Sequence, residues 1–361
     1  LLDLTEHLKK LVEAHAPSGH EAPIREILRE EWAGYVDEFQ QDGLGSLIGI
    51  KRATKPTEQP RKIMLAAHMD EIGLLVRDIV DGFIYVHRIS GVDSRVMLSQ
   101  PVVVHGKKPL KGIVAAVPPH LLDEQSRKRY PSFDELVIDV GLSHEEVTEI
   151  VTIGDTITPD VPLLQLQGSR VAAKAFDDRA CVAIVTQCLA LLQGMNHSWD
   201  VYATATVQEE TGLLGATTAS RFINPDIAIA LDVGFGDQHG AGDHVTGDLG
   251  KGGVLGIGPN FHIKLNEQIE EVANKHEIKF QKEVISGASG TDAWAIQVSN
   301  GGVPTALLSL PLRSMHSPVE TIDLNDVERT ARLLAHFIAS LSDDFLATID
   351  WDRPQPAEDT E

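Results

Sequence analysis

The 361-residue sequence is poor in cysteine: Cys181 and Cys188 are its only two. Both fall in one predicted helix, where seven residues of rise part their Cα atoms by about 10 Å, too far for a disulfide. A disulfide scaffold is thereby excluded, and two small buried thiols suit a reducing cytoplasm, the expected location. Cationic side chains are also short, with 31 Lys and Arg against 53 Asp and Glu and a net charge of -22. Nucleic acid and anionic membrane surfaces reward clustered cations, so neither is expected as a partner. Most of the acidic excess reads as solvated surface, and part as site carboxylate that a metal would neutralise. No run is long and apolar enough to span a bilayer. The stretch LLDLTEHLKKLVEAHAPSGHE has no basic segment leading into an apolar core, so no signal peptide is expected there. There is no internal repeat, and Gly 30 and Pro 18 are ordinary proportions, which excludes collagenous and low-complexity chains.

What is present reads as alternating strands and helices. Leu4, Leu8, Leu11 and Val12 share one face of a first helix; Ser18 and Glu21 form a capping-box pattern ahead of a second. SLIGI (46–50) and KIMLAAH (62–68) read as strands, joined by the polar turn TKPTEQPRK. From about 72 to 166 the texture changes to short β-rich runs, among them GLLVRDI, FIYVHRI and PVVVHG, with one weak helix at 143–150. Many short strands with close turns predict a small β-barrel or sandwich. After about 168 the α/β alternation resumes: a helix at 178–193, strands at 201–207, 226–233, 279–285 and 303–310, and helices at 213–223, 261–276, 292–299 and 324–342. The expected fold class is α/β: an α/β/α sandwich with a mostly parallel sheet, formed by 1–71 and 167–349, and interrupted by a β-rich insert at 72–166. Residues 350–361 read as a flexible acidic tail.

Sites in open α/β sheets form beyond the carboxyl ends of the strands. Polar residues gather there. KIMLAAH ends in His68, followed by Asp70; AKAFDDR carries Asp177 and Asp178; VYATATV runs into Glu209 and Glu210; DIAIAL ends in Asp232; and VPTALLSLP leads into RSMHSPVE with His316. Singly each has a plain structural reading, as a packed histidine, a helix cap or a turn former. At successive strand ends of one domain they predict a metal centre of nitrogen and oxygen ligands, suited to Zn, Co or Mn. Two divalent ions about 3.5–4 Å apart form a clamp for hydrolysis. Five ligands fit such a pair: one histidine and one acid for each ion, and one shared Asp. Neighbouring Glu209 and Glu210 then divide the labour, one holding metal and one serving as general base. Asp70 is placed to accept the second imidazole N–H of His68.

The segments AAHMDEIGLLV, AFDDRACVAIV, VQEETGLLGA, ALDVG and GTDAWAIQ…GVPTALLSLPLRSMHSPVE resemble the TET-type metallo-aminopeptidases, metallopeptidase family 42 of the di-zinc clan. The likeness runs from APSGHE to HSPVE. By motif position it implies that His68 is a terminal ligand steered by Asp70. Asp177 would be the bridging ligand, with a cis peptide to Asp178. Glu209 would be the general base, Glu210 a terminal ligand, and Asp232 and His316 would complete the set. It also implies two divalent metals per subunit, zinc foremost and cobalt or manganese as alternatives. Short peptides would be the substrates. The insert would be a PDZ-like oligomerisation domain, and the assembly a homo-oligomer, either a tetrahedral dodecamer or its dimer building block. Gly290, Thr291, Asp292 and Arg313 are candidates to line the substrate pocket.

A metal-dependent deacylase of small amides could use the same residues. Paired acids at strand ends also suit a glycoside hydrolase, although the histidines argue against it, and a non-catalytic subunit remains a further alternative. The stretch VGFGDQHGAGDHVTGDLGKGG (233–253) reads either as a loop at the mouth of the site or extra ion site, or as a solvated Gly-rich loop.

Overall fold

The computed structural model describes residues 2–55 and 60–349. The acidic tail at 350–361 and the middle of the 54–62 turn lie outside them. The core is an eight-stranded sheet in the order Glu38–Gln41, Leu47–Lys51, Asp200–Thr206, Lys62–His68, Ile227–Phe235, Thr305–Leu312, Val254–Ile257, Gln281–Val284. The sheet is mixed. Its four central strands, Asp200–Thr206 through Thr305–Leu312, are parallel neighbours, and antiparallel ladders flank them. The strands Lys62–His68, Asp200–Thr206 and Thr305–Leu312 are buried almost throughout. Strands enclosed on both faces read as continuous apolar runs, which is how KIMLAAH and TALLSLPL read.

One face is covered by the helices Leu4–Glu13, Phe176–Leu192 and Leu324–Ser340, packed through Leu8, Leu189, Leu334 and Phe337. Leu214–Ile223 and Asp292–Ile296 cover the other. The helix Phe176–Leu192 is apolar nearly all round because the sheet and the helices Leu4–Glu13 and Leu324–Ser340 surround it. Cys181 and Cys188 lie within it, buried and unbridged. Among the described residues no helix is long and apolar enough to cross a membrane.

Six strands between Gly73 and Pro159 close into a barrel around Leu74, Val86, Val102, Val104, Ile138 and Ile157. The helix His144–Ile150 packs beside it, started by a capping box between Ser143 and Glu146.

Several features differ from the expectation, among them the additional strands Glu38–Gln41 and Val254–Ile257. Ser18 and Glu21 do not form a capping box: the helix Ala22–Trp32 starts without a side-chain cap. Glu21 Oε1 accepts instead from Gly19 N at 2.6 Å and Gln208 N at 3.1 Å, and Ser18 Oγ meets Thr211 Oγ1 at 3.1 Å. Both residues are spent on the segment that carries Glu209 and Glu210. A three-stranded sheet, Leu164–Gln165, Arg170–Ala173 and Glu320–Asp323, was not anticipated. Its register pairs Ala173 with Glu320 and so brings the FDDR segment against the His316 loop.

Candidate metal centre

Parallel strands deliver the polar residues to one edge. Thr206 pairs with His68 at the ends of their strands, and Asp232 pairs with Ser309 three residues before the ends of theirs, so these side chains lie along one edge. The His68 ring is 2% exposed. Its Nδ1 lies 3.2 Å from the carbonyl oxygen of Asp70, which can only accept, so Nδ1 carries a hydrogen and Nε2 is the nitrogen turned into the site. Nε2 faces Asp177 Oδ1 at 3.0 Å. The other oxygen of that carboxylate, Oδ2, lies 3.1 Å from His316 Nε2, and Glu210 Oε1 is 3.4 Å from the same nitrogen. One aspartate thus stands between two imidazoles, one on each oxygen. Glu209 Oε2 is 3.8 Å from His68 Nε2. The peptide between Asp177 and Asp178 is cis.

Supporting contacts hold these groups. Asp70 accepts from the backbone of both glutamates, Oδ1 from Glu209 N at 3.1 Å and Oδ2 from Glu210 N at 3.3 Å. Glu320 does the same across the site, accepting from Asp177 N at 3.0 Å and His316 N at 2.8 Å. Ser90, from the barrel, donates to Glu210 Oε2 at 2.8 Å. Three non-glycine residues beside the ligands or among them, Ala175, Gln208 and His316, take left-handed φ of 57°, 53° and 60°. Such backbone costs energy and persists only where the surroundings impose it, as at functional sites.

Burial makes charge costly here. It lifts Glu209 up to about 10, a rise that His68 partly offsets and that Asp232, Asp292 and Glu210 reinforce. Burial also raises Asp178 and Asp232 well above the usual carboxylate range. For His316 burial acts downward, but the hydrogen bonds to Asp177 and Glu210 and their charges carry it up to about 11. Asp177 is held low because the two imidazoles outweigh its burial. In the protein alone, protons must supply the positive charge that so many enclosed carboxylates require.

That requirement is what a cation meets, and the donor set fits one. Two groups have ligand atoms within 4.8 Å of one another: His68, Asp178 and Asp232, and His68, Asp177 and Glu210. All donors are imidazole nitrogen or carboxylate oxygen, the ligands of Zn, Co or Mn. Among the described residues neither group includes His239 or His244 of the 233–253 stretch.

A cleft of about 600 Å³ opens over the centre. Gly290 and Thr291 line it, as do Gly234, Phe235 and Thr246, so part of the 233–253 stretch forms a cleft wall. Asp292 lies beneath, 1% exposed, where Oδ2 accepts from Thr206 Oγ1 at 2.6 Å and Oδ1 has no donor among the described residues. Arg313 is not brought to the cleft. Its guanidinium lines a separate hollow and is bound by Asp237, with Nη2 to Oδ2 at 2.6 Å. Sequence reasoning missed Glu320 and Ser90. The glutamate of HSPVE was in view within a motif, but only the strand pairing shows where it points.

Comparison with known proteins agrees with this geometry. Residues 45–333 match the family model described as M42 glutamyl aminopeptidase. A lysyl aminopeptidase of Pyrococcus furiosus is 37% identical over 345 residues, 93% of this chain and 97% of the relative. The crystal structure of a TET aminopeptidase from Thaumarchaeota archaeon SCGC AB-539-E09 superposes with a TM-score of 0.91 at 33% identity, covering 97% of this chain and all of that one. The TET1 peptidase of Pyrococcus horikoshii, which can assemble into a tetrahedron or a large octahedral shell, superposes with a TM-score of 0.82 at 32% identity, over 94% of this chain and 100% of its own. The chain therefore belongs to the M42 family of metal-dependent aminopeptidases, hydrolases that act on peptides.

Proposed function

We propose that this chain removes the N-terminal residue of short peptides at a centre of two divalent metals. The observation that carries the reading is Asp177 set between His68 Nε2 and His316 Nε2, one on each carboxylate oxygen. Asp177 would be the shared ligand; His68 and Asp232 would hold one ion, and Glu210 and His316 the other. Zinc is the first choice for this donor set, with cobalt or manganese as alternatives. When bound, the metals polarise the scissile carbonyl and make water acidic enough to attack near neutral pH. The chain's own part is to orient and to move a proton. Asp70 directs the His68 ring and fixes the backbone of both glutamates. Glu209 accepts the proton on its carboxylate and returns it to the leaving amine nitrogen.

Glu209→Gln should keep full metal content and lose about 10²–10⁴-fold in turnover. A near-normal rate would remove Glu209 as the base. His68→Ala and Asp177→Ala should instead lose metal by elemental analysis. Peptides with a free N-terminus should be cleaved and N-acetylated ones spared; the reverse would favour a deacylase.

We assign 1–71 and 167–349 to the catalytic unit and 72–166 to the insert. An apolar hollow on the barrel, with Phe83, Leu98, Val117 and Leu122, supports a role for the barrel in homo-oligomerisation. Light scattering would distinguish dodecamer, dimer and monomer. Two enclosed free thiols suit the cytoplasm.

A further inference from the structure

The cleft walls carry a sharp charge asymmetry. Its acids are Asp177, Glu209, Glu210, Asp232 and Glu283, and among the described residues no lysine or arginine lines it. Four of those acids belong to the metal centre. Glu283 alone stands apart from it, on the edge strand Gln281–Val284.

Glu283 is half-buried and, among the described residues, has no counter-ion. Along its strand, Gln281 and Glu283 are the sheltered positions and Lys282 and Val284 the exposed ones, the alternation of a strand with one covered face. Lys282 therefore points away, and it is paired with Glu270 at 2.7 Å. Gln281 anchors the neighbouring loop, donating to Asp248 O at 3.1 Å and Gly252 O at 2.9 Å. Burial raises the Glu283 pKa, and no charged neighbour acts on it. Arg313, a candidate to supply a cation to the pocket, is held outside it by Asp237. A carboxylate kept in a cleft without a partner costs free energy that an incoming cation would recover.

The sheet sets the distance. One row of paired residues runs Asp232, Ser309, Val254, Gln281. Three strand spacings make about 14 Å between the backbones of Asp232 and Gln281, and Glu283 is two residues further along. A residue held by its α-amine near the metals needs a long side chain to approach Glu283. Leu213, Phe235 and Ile285 line the cleft and offer apolar surface for a methylene stem. Long cationic side chains lay their stems on apolar surface and present charge at the tip.

We propose that Glu283 selects peptides whose N-terminal residue is lysine or arginine. This rests on the aminopeptidase reading above and goes further than it by naming the substrate class. An acidic N-terminal side chain would meet a carboxylate with no cation beside it, so glutamyl peptides are the disfavoured class, in contrast to the activity in the family's description.

The test uses the metal-loaded full chain with lysyl, arginyl, leucyl and glutamyl p-nitroanilides. The wild type should favour lysyl and arginyl substrates in kcat/KM, with glutamyl last. E283Q should lose about 10–100-fold on the lysyl and arginyl substrates, chiefly through KM, and stay within about twofold on leucyl. E283K should move the preference toward glutamyl. Calorimetry with free L-lysine reads the same contact without turnover, and E283Q should weaken binding about tenfold. An equal loss on all four substrates in E283Q, or a wild type that prefers glutamyl, overturns the assignment. If the wild type hydrolyses none of the four, the aminopeptidase reading falls, and unchanged lysine binding in E283Q would separately sink the role of Glu283.

Discussion

Ser90 donates its hydroxyl to Glu210 at 2.8 Å, joining the barrel to a candidate metal ligand 120 residues further along the chain. Ser90 directly follows the strand Phe83–Ile89 and takes a left-handed φ of 61°. Partners that hold a ligand carboxylate tune its metal affinity. Ser90→Ala should bind divalent metal about tenfold more weakly with little change in melting temperature. Competitive metal titration would show it; an unchanged affinity would make the contact incidental.

The next residue, Gly91, is a steric counterpart. A Cβ built there would overlap the imidazole of His316. Gly91→Ala should displace that ring, and a shift of about 1 Å at a catalytic group costs about 10²-fold in rate. Metal stoichiometry and kcat measured together would check this, since a displaced His316 should lower both.

Beneath the site, Glu71 is enclosed with two cations. Lys174 Nζ lies 2.7 Å from Oε2 and Arg179 Nη2 3.2 Å from Oε1. Arg179 also donates to the carbonyls of Leu11, Ala14 and Ala16, closing the end of the first helix, and to Met69 O. Removing one member of a buried ion group leaves uncompensated charge and costs about 3–5 kcal/mol. Glu71→Gln should lose that amount in urea unfolding, and a loss under 1 kcal/mol would contradict the account.

His15 gives the pH dependence. Burial lowers its pKa to about 4, helped by Lys174 and opposed by Glu71, with smaller lowering from His105 and Arg179. Its Nδ1 and His105 Nε2 approach one hydroxyl, Thr158 Oγ1, at 2.7 and 2.9 Å. A hydroxyl has one hydrogen, so at least one of the two rings must donate to it. The folded chain keeps His15 neutral, while the unfolded chain protonates near 6.5. Its contribution is therefore complete above about pH 6.5 and is lost as pH falls through about 4. Allowing for partial exposure, this amounts to about 2 kcal/mol. Urea unfolding of metal-free protein between pH 7 and 4.5 should show a smaller acid loss in His15→Gln than in the wild type.

Much of this site was legible from strand ends alone. His68, Glu209 and Asp232 close apolar runs, and parallel strands bring such ends together without further instruction. The mixed flanks of the sheet were less visible, because Glu38–Gln41 and Val254–Ile257 are short and carry little periodic pattern. Ser90 and Glu320 escaped because their roles come from long-range pairing: Glu320 faces the site only through its register with Ala173. The left-handed turns at Gln208 and His316 use no glycine, so nothing in composition marked them. Ser18 and Glu21 carry a helix-start pattern, but the loop before Glu209 claims their side chains.

The two cysteines bear on how the molecule can be observed. Cys181 donates to Asp232 O at 3.2 Å, and burial raises the pKa of both thiols. The reactive form is the thiolate, so the native chain is silent toward maleimide reagents. No cysteine-free background has to be engineered before a dye is attached. Phe235, which lines the cleft and is 45% exposed, offers the attachment point. Phe235→Cys would seat a fluorescent reporter at the cleft wall, where peptide arrival could be timed directly.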